Sequence, residues 1–317
     1  MEYRPLTLED APAVHALIRR WEKYWKAPLV TPLDEIVDDL EAPHLDRESD
    51  TVGVWEDGDL VAYGWIWHRP SGDRMERAYA FGYVDPEHRG RGIGRRVFGW
   101  QVERATEILT AIDNGLPKYL RADEWDWIEE SHRLYRRFGL EPVRYFTEML
   151  RPLDTPVDVS PIDGVEIVAY DRSRDEEALE ALNSSFADHW GSTPSDLASF
   201  QHRVGGQNVR VDLSFLAVAG EKVVGVVLNA HFPEDEDLLG RRDGWIESVG
   251  VEKTWRNKGI ATALIQTSFN AFVAAGMTHA AIAVDTANPT GALGLYSGLG
   301  FEPTQRTITS EVEITPV

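Results

Sequence analysis

The sequence contains no cysteine, which at once excludes disulfide staples, thiolate metal sites and a cysteine nucleophile. No run of about 18 apolar residues, the length that crosses a bilayer, occurs anywhere. The first residues, Met1-Glu2-Tyr3-Arg4, lack the apolar core of a secretory signal. A cytoplasmic protein with no membrane partner is expected. Basic residues are scarce: 32 Lys and Arg stand against 53 Asp and Glu, a formal net charge of −21. Such a chain repels nucleic-acid phosphates, so no nucleic-acid partner is expected, and it draws in cations such as amines. No H-E-x-x-H, G-x-S-x-G or calcium-loop pattern appears, and His132 and His279 lack partners at ligand spacing. No metal is expected.

What is present suffices for two cores. At 317 residues, with 43% hydrophobic content and eleven Trp, the chain is comfortable for two domains of about 150 residues each. Ala78 to Val84 reads as a buried strand and Arg95 to Leu109 as a helix. Between them, Val84-Asp85-Pro86-Glu87-His88-Arg89-Gly90-Arg91-Gly92-Ile93-Gly94 packs three glycines against the helix start. Glycine adopts positive φ and lets a ligand approach main-chain N–H groups closely. The first N–H groups of a helix lack internal partners and sit at the positive end of its dipole. Arg89 and Arg91 add charge that suits a diphosphate. The junction reads as a pyrophosphate cradle. It is neither the dinucleotide G-x-G-x-x-G nor a P-loop, since the glycines are spaced G-x-G-x-G.

The pattern recurs. Trp245 to Val251 reads as a strand leading to Trp255-Arg256-Asn257-Lys258-Gly259-Ile260-Ala261 and a second helix. Val84 and Val251, Arg89 and Arg256, Gly92 and Gly259, and Gly94 and Ala261 all lie 167 residues apart. Leu134-Tyr135 and Leu295-Tyr296, Gly139 and Gly300, and Pro142 and Pro303 lie 161 apart. Two constant registers mean tandem domains, not a solenoid. Pro152, Pro156 and Pro161 mark a linker, so the expected division is 1–152, a linker over 153–164, and 165–317. The second loop has fewer glycines and is expected to be stiffer, with Lys258 as an extra cation. Each half reads as strand, helices, hairpin, strand, helix, strand, helix, strand, with Asp57-Gly58 as a hairpin turn. Asp123 to Glu130 reads as a solvated helix start with two anchoring Trp, a segment that could also hold a cationic group.

Arg89-x-x-Gly92-x-Gly94 after Val84-x-Pro86, repeated as Arg256-x-x-Gly259-x-Ala261, resembles the acyl-CoA loop of the GNAT N-acetyltransferase superfamily. Asn288 followed by Leu295-Tyr296 and Gly300-Phe301 resembles its closing motif. The tandem length, with Phe186-Ala187-Asp188-His189-Trp190, is similar to the actinobacterial mycothiol synthase family. The resemblance implies an α/β (α+β) fold: two tandem GNAT domains, each a mixed, mostly antiparallel sheet flanked by helices, with a splayed strand pair holding acyl-CoA. It implies acetyl-CoA as co-substrate. The binding positions would be Val84, Arg89, Gly90, Arg91, Gly92, Ile93, Gly94 and Tyr135 in the first half. In the second they would be Val249, Val251, Arg256, Asn257, Lys258, Gly259, Ile260, Ala261 and Asn288. Tyr296 would sit near the thioester sulfur as acid. The implied reaction is acetyl transfer to a primary amine of a small molecule by direct attack, in a monomer or homodimer. The alternatives are acetylation of a cysteinyl-sugar conjugate, or a non-catalytic acyl-CoA-binding or sensing protein.

Attack needs a neutral nitrogen. An alkylammonium of pKa about 10.4 is neutral in only about one part in 2,500 at pH 7, a deficit of roughly 4.6 kcal/mol. A general base supplies part of that, and in the family it is commonly a Glu on the strand before the loop. Glu247 lies four residues before Val251 within an apolar run, where a carboxylate is out of place for packing alone. The corresponding Ala80 is apolar, and the nearest acid is Glu76. The C-terminal half is therefore the expected catalyst. The plain alternatives are Glu247 as partner to an Arg or a Trp N–H, Tyr296 as a packed aromatic, and Asn288 as a helix cap.

Overall fold

The structure is a computed structural model that describes residues 1–42, 44–69, 74–187, 192, 194–286 and 292–315. In chain order its elements begin with β1 (Glu2–Arg4), α1 (Ala11–Trp25), α2 (Leu33–Glu41), α3 (Arg47–Asp50), β2 (Thr51–Glu56) and β3 (Asp59–Arg69). Then come β4 (Glu76–Phe81), α4 (Ile93–Thr110), β5 (Lys118–Trp125), α5 (Glu129–Arg137) and β6 (Glu141–Pro152). The second half adds β7 (Glu166–Ala169), α6 (Asp175–Phe186), α7 (Leu197–Val204), β8 (Phe215–Ala219), β9 (Lys222–Ala230) and α8 (Glu236–Leu239). It closes with β10 (Asp243–Val251), α9 (Ile260–Ala274), β11 (His279–Asp285), α10 (Ala292–Gly298) and β12 (Glu302–Glu313).

The chain forms two compact units, Met1–Tyr145 with Thr307–Val317, and Phe146–Arg306. In the first, β1 to β5 lie in order, and residues 307–313 of β12 run antiparallel to β5. Only β4 and β5 are parallel. One face packs on α4 through Phe98, Ala105 and Leu109; the other meets α1 and α2 through Val14, Leu17, Ile36 and Leu40. The turn Asp57-Gly58 has φ of 53 and 93 at its two residues, the left-handed pair a tight hairpin needs.

The second unit repeats this plan. β7 to β11 lie in order, β10 and β11 form the parallel pair, and residues 146–152 of β6 run antiparallel to β11. α9 buries Leu264, Phe269 and Phe272 against Ile246, Ala280 and Ile282. On the opposite face α6 and α7 bury Leu179, Leu182, Phe200 and Val204 against Leu216, Val226 and Leu228. β9 is buried from Val223 to Ala230, and its Val-rich run suits a strand covered on both faces.

Two sequence expectations change. The units do not divide at 1–152 and 165–317, because residues 146–152 complete the second sheet and residues 307–313 the first. Alternation of apolar residues fixes which face a strand buries, not which edge it joins. Asp123 to Trp125 are not a solvated helix start either: β5 runs through them, and Glu124 and Trp125 are buried.

Candidate active site in a splayed strand pair

In the second unit, β10 and β11 pair only from Asp243 opposite His279 to Trp245 opposite Ala281. Beyond that point β10 runs on to Val251 and β11 to Asp285 with no ladder between them among the described residues. The parting coincides with a bulge: the register against β9 shifts between Ile246 and Ser248, leaving Glu247 as the extra residue. A bulge bends its strand and re-aims a side chain. A cleft of about 490 Å³ opens between the arms, lined by residues 246–251, residues 282–285, the loop before α9 and Tyr296.

The loop presents main-chain donors. Gly259 caps α9 with φ 83, no side chain caps that helix, and a Cβ at Gly259 would meet nothing within 4 Å. The N–H groups of the first turn, Ile260 to Thr262, are orphans by helix geometry and border the cleft. This arrangement fits phosphate oxygens. Arg256 is committed elsewhere: its Nη2 donates to the Ser185 carbonyl at 2.7 Å and its Nε to the Val251 carbonyl at 3.3 Å. Lys258 Nζ lies over the Trp255 ring, 4.3 Å from its centroid. Gly250 is required because a Cβ there would come within 2.2 Å of Ser185 Oγ.

Glu247, Tyr296 and Asp285 are the side chains with acid–base capacity that line this cleft among the described residues. Glu247 stays open to solvent, yet the concave walls around it raise its pKa, and only Arg203 opposes the shift. Tyr296 is 7% exposed, and its hydroxyl has no hydrogen-bond partner among the described residues. Burial pushes its pKa up to about 12, and it packs edge-on to Phe301, with centroids 6.0 Å apart.

The first unit has the splay without the bulge. β4 and β5 pair from Glu76 to Tyr79, and β4 keeps an unbroken register against β3. Its cleft, about 480 Å³, includes Val84, Arg89, Gly90, Gly92, Ile93, Gly94 and Tyr135. Gly92 caps α4 with φ 79. Arg89 is held by Glu130 and the Tyr24 hydroxyl, and Arg91 makes two 2.7 Å bonds to Glu56. Tyr83 stacks on Trp21 at 3.9 Å, and both pack with Trp125 and Ile128.

The sequence profile of the acetyltransferase (GNAT) family matches residues 14–140 and 176–301. The chain belongs to that family. Relatives include a mycothiol acetyltransferase of Kocuria rhizophila, 28% identical over 69% of this chain and 70% of its own length. One from Thermobispora bispora is 30% identical over 69% and 70%. Among solved structures, a GCN5-related N-acetyltransferase from Sphaerobacter thermophilus superposes with a TM-score of 0.78 at 27% identity, covering 99% of this chain and 96% of that one. A tandem GNAT protein from the clavulanic acid biosynthesis pathway shares the fold, with a TM-score of 0.73 at 17% identity over 100% and 99%. The protein is an acyltransferase of tandem GNAT architecture.

As a GNAT protein it brings together, in one cleft, Glu247, Tyr296, Val249, Val251, Asn257, Gly259, Ile260 and Ala261. Arg256 also borders the cleft, but its guanidinium is spent on protein carbonyls, and Lys258 stacks on Trp255. Asn288 lies outside the described residues. The match of Glu247 to Ala80 fails: Ala80 opposite Ile66 corresponds to Ile246 opposite Asn229, so Glu247 has no counterpart in the first unit. The constant spacing from Val84 onward hid a one-residue insertion. Asp285, buried at the end of the other arm, and Phe146 also line the cleft and carry no local sequence signal.

Proposed function

We propose that this acyltransferase moves the acetyl group of acetyl-CoA to a primary amine of a small molecule by direct attack, in the cleft of its second unit. The observation that carries this is the bulge, which aims Glu247, a carboxylate with no counterpart in the first unit, into the cleft shared by the α9 N-terminus and Tyr296. What supports acetyl-CoA is the uncapped α9 N-terminus with open space at Gly259, beside the cleft of about 490 Å³ between the parted strands. The named mycothiol acetyltransferases support acetyl transfer; their acceptor is left with them. A cytoplasmic setting belongs to this reading.

Acetyl-CoA, when bound, supplies the acetyl group as a thioester. Glu247 takes the proton from the acceptor nitrogen, directly or through one water, and its raised pKa makes it a better base than an ordinary carboxylate. Tyr296 acts at the sulfur. A thiol of pKa about 8.5 gains a proton from a phenol of pKa about 12 only uphill, by roughly 5 kcal/mol. The hydroxyl therefore stabilises developing negative charge first by donating a hydrogen bond, and full transfer follows as the chain exchanges protons with water.

The test is thiol release and product mass with acetyl-CoA and a panel of small amines. Glu247→Gln should lower kcat by about 10²–10⁴-fold. Amine-dependent turnover that survives this change undiminished would remove Glu247 as base, and no turnover with any amine would remove the reaction.

A further inference from the structure

Tyr296 rides on α10, a helix of seven residues that is too short to be stable by itself. The place of its phenol therefore depends on what fastens that helix. The C-terminal end is closed by its own backbone: Gly300 takes φ 84, the Phe301 N–H donates to the Tyr296 carbonyl at 3.1 Å, and the Gly300 N–H to the Ser297 carbonyl at 3.0 Å. That closure leaves the Leu299 carbonyl without a donor from the helix. Arg151 on β6 supplies one, its Nη1 donating to that carbonyl at 2.7 Å. A cation at this end also suits the helix dipole.

The same guanidinium lies over the Phe269 ring, 4.3 Å from its centroid. Phe269 packs on Phe301 with centroids 5.6 Å apart, and Phe301 on Tyr296 at 6.0 Å. Arg151 thus reaches Tyr296 by two routes, through the helix end and through two phenylalanine rings. It holds this place against a cost, since burial pushes its pKa down and no acid opposes the shift. The first unit lacks the device. A Cβ at Gly300 would lie 3.7 Å from Arg151 Nε, whereas at the matching Gly139 it would lie 3.6 Å from the Val312 side chain. The arginine accompanies Glu247 in the second unit.

We infer that Arg151 is a positioning residue for the reaction: it fixes the end of α10 so that the Tyr296 hydroxyl stands at the thioester sulfur. This rests on the acetyl-transfer reading of the second unit. Arg151 does not line the cleft, so it acts only through the helix it holds.

The test is a double-mutant cycle on the full chain, read as kcat and KM with acetyl-CoA and an accepted amine. Arg151→Met should lower kcat by about 10–100-fold, the cost of a misplaced group, with KM for acetyl-CoA unmoved. In a Tyr296→Phe background the same change should alter kcat by less than about twofold, because the group it positions is gone. A merely structural arginine would lower kcat equally in both backgrounds, and that result overturns the inference. If Arg151→Met fails to fold, Arg151→Lys keeps the charge but not the fork, and should show the same pattern in milder form. A second readout needs no turnover. In protein labelled with fluorotyrosine, the fluorine resonance that Tyr296→Phe removes should shift or broaden in the Arg151 variant while the other tyrosine resonances hold. An unmoved Tyr296 resonance overturns the positioning role. Undiminished turnover in Tyr296→Phe, with a resonance that does move, would instead defeat the reading of Tyr296 as acid and leave Arg151 as the residue that places it.

Discussion

Gly90 and Asn257 occupy the same place in their two loops and adopt the same left-handed backbone, with φ of 75 and 61. The second cradle is therefore not altered by losing that glycine; Asn is the side chain that best tolerates the conformation. Asn257→Gly should leave stability within about 0.5 kcal/mol of wild type, whereas Asn257→Ala should lose about 1 kcal/mol. Urea unfolding of the two variants checks this. If alanine is as stable as glycine, the backbone at 257 carries no strain.

Arg256 ties the loop to the end of α6 and does not reach for phosphate. Lysine keeps the charge but loses the fork, so Arg256→Lys should cost about 1–3 kcal/mol of stability. The slope of log KM for acetyl-CoA against log salt should stay as in wild type. A shallower slope would mean that the guanidinium contacts the phosphates after all.

For Glu247 the pH argument has two faces. Its folded pKa lies above the ordinary carboxylate value because the surrounding walls disfavour the charge. In the proposed role of base it would work only ionised, so the acid limb of kcat/KM should fall at a pH above that of an exposed Glu. The folded state also holds the proton to higher pH than the unfolded state, so the group's contribution to stability declines as pH rises through that window. Glu247→Gln should erase the acid limb and unfold at the same or higher temperature than wild type at pH 7.5. A lower melting temperature would show that the carboxylate holds the bulge together.

The parts legible in sequence were those with a local physical signature. Gly92 and Gly259 announce positive φ at a helix start, and Val14, Leu17, Ile18 and Trp21 mark one helical face that is buried as expected. The repeat of Leu-Tyr with a Gly four residues after the Tyr located α10 and Tyr296. What stayed hidden depends on partners distant in the chain. Nothing within residues 146–152 says that their partner is β11, and nothing beside Arg256 points to Ser185. The Glu247 bulge is invisible because one inserted residue leaves the later spacing intact; only pairing with β9 reveals it.

Glu124 gives the sharpest stability test. It is 6% exposed on β5, accepts from Ser131 Oγ at 2.8 Å and from the Trp125 N–H at 2.9 Å, and burial lifts its pKa to about 7. The two donors favour the ionised form but do not offset the desolvation. Unfolded, the carboxyl titrates near 4.5. Between those values the folded chain holds a proton that the unfolded chain has released, so stability falls as pH rises from about 4.5 to 7 and levels off above. The rise from 4.5 to about 7 corresponds to ~3 kcal/mol as an order of magnitude. Glu124→Gln keeps the size and removes the titration. It should be more stable than wild type at pH 8, and its unfolding free energy should change less with pH over this range. Parallel pH profiles for the two proteins would mean that Glu124 is ionised in the folded state throughout, held by Ser131 and the Trp125 N–H.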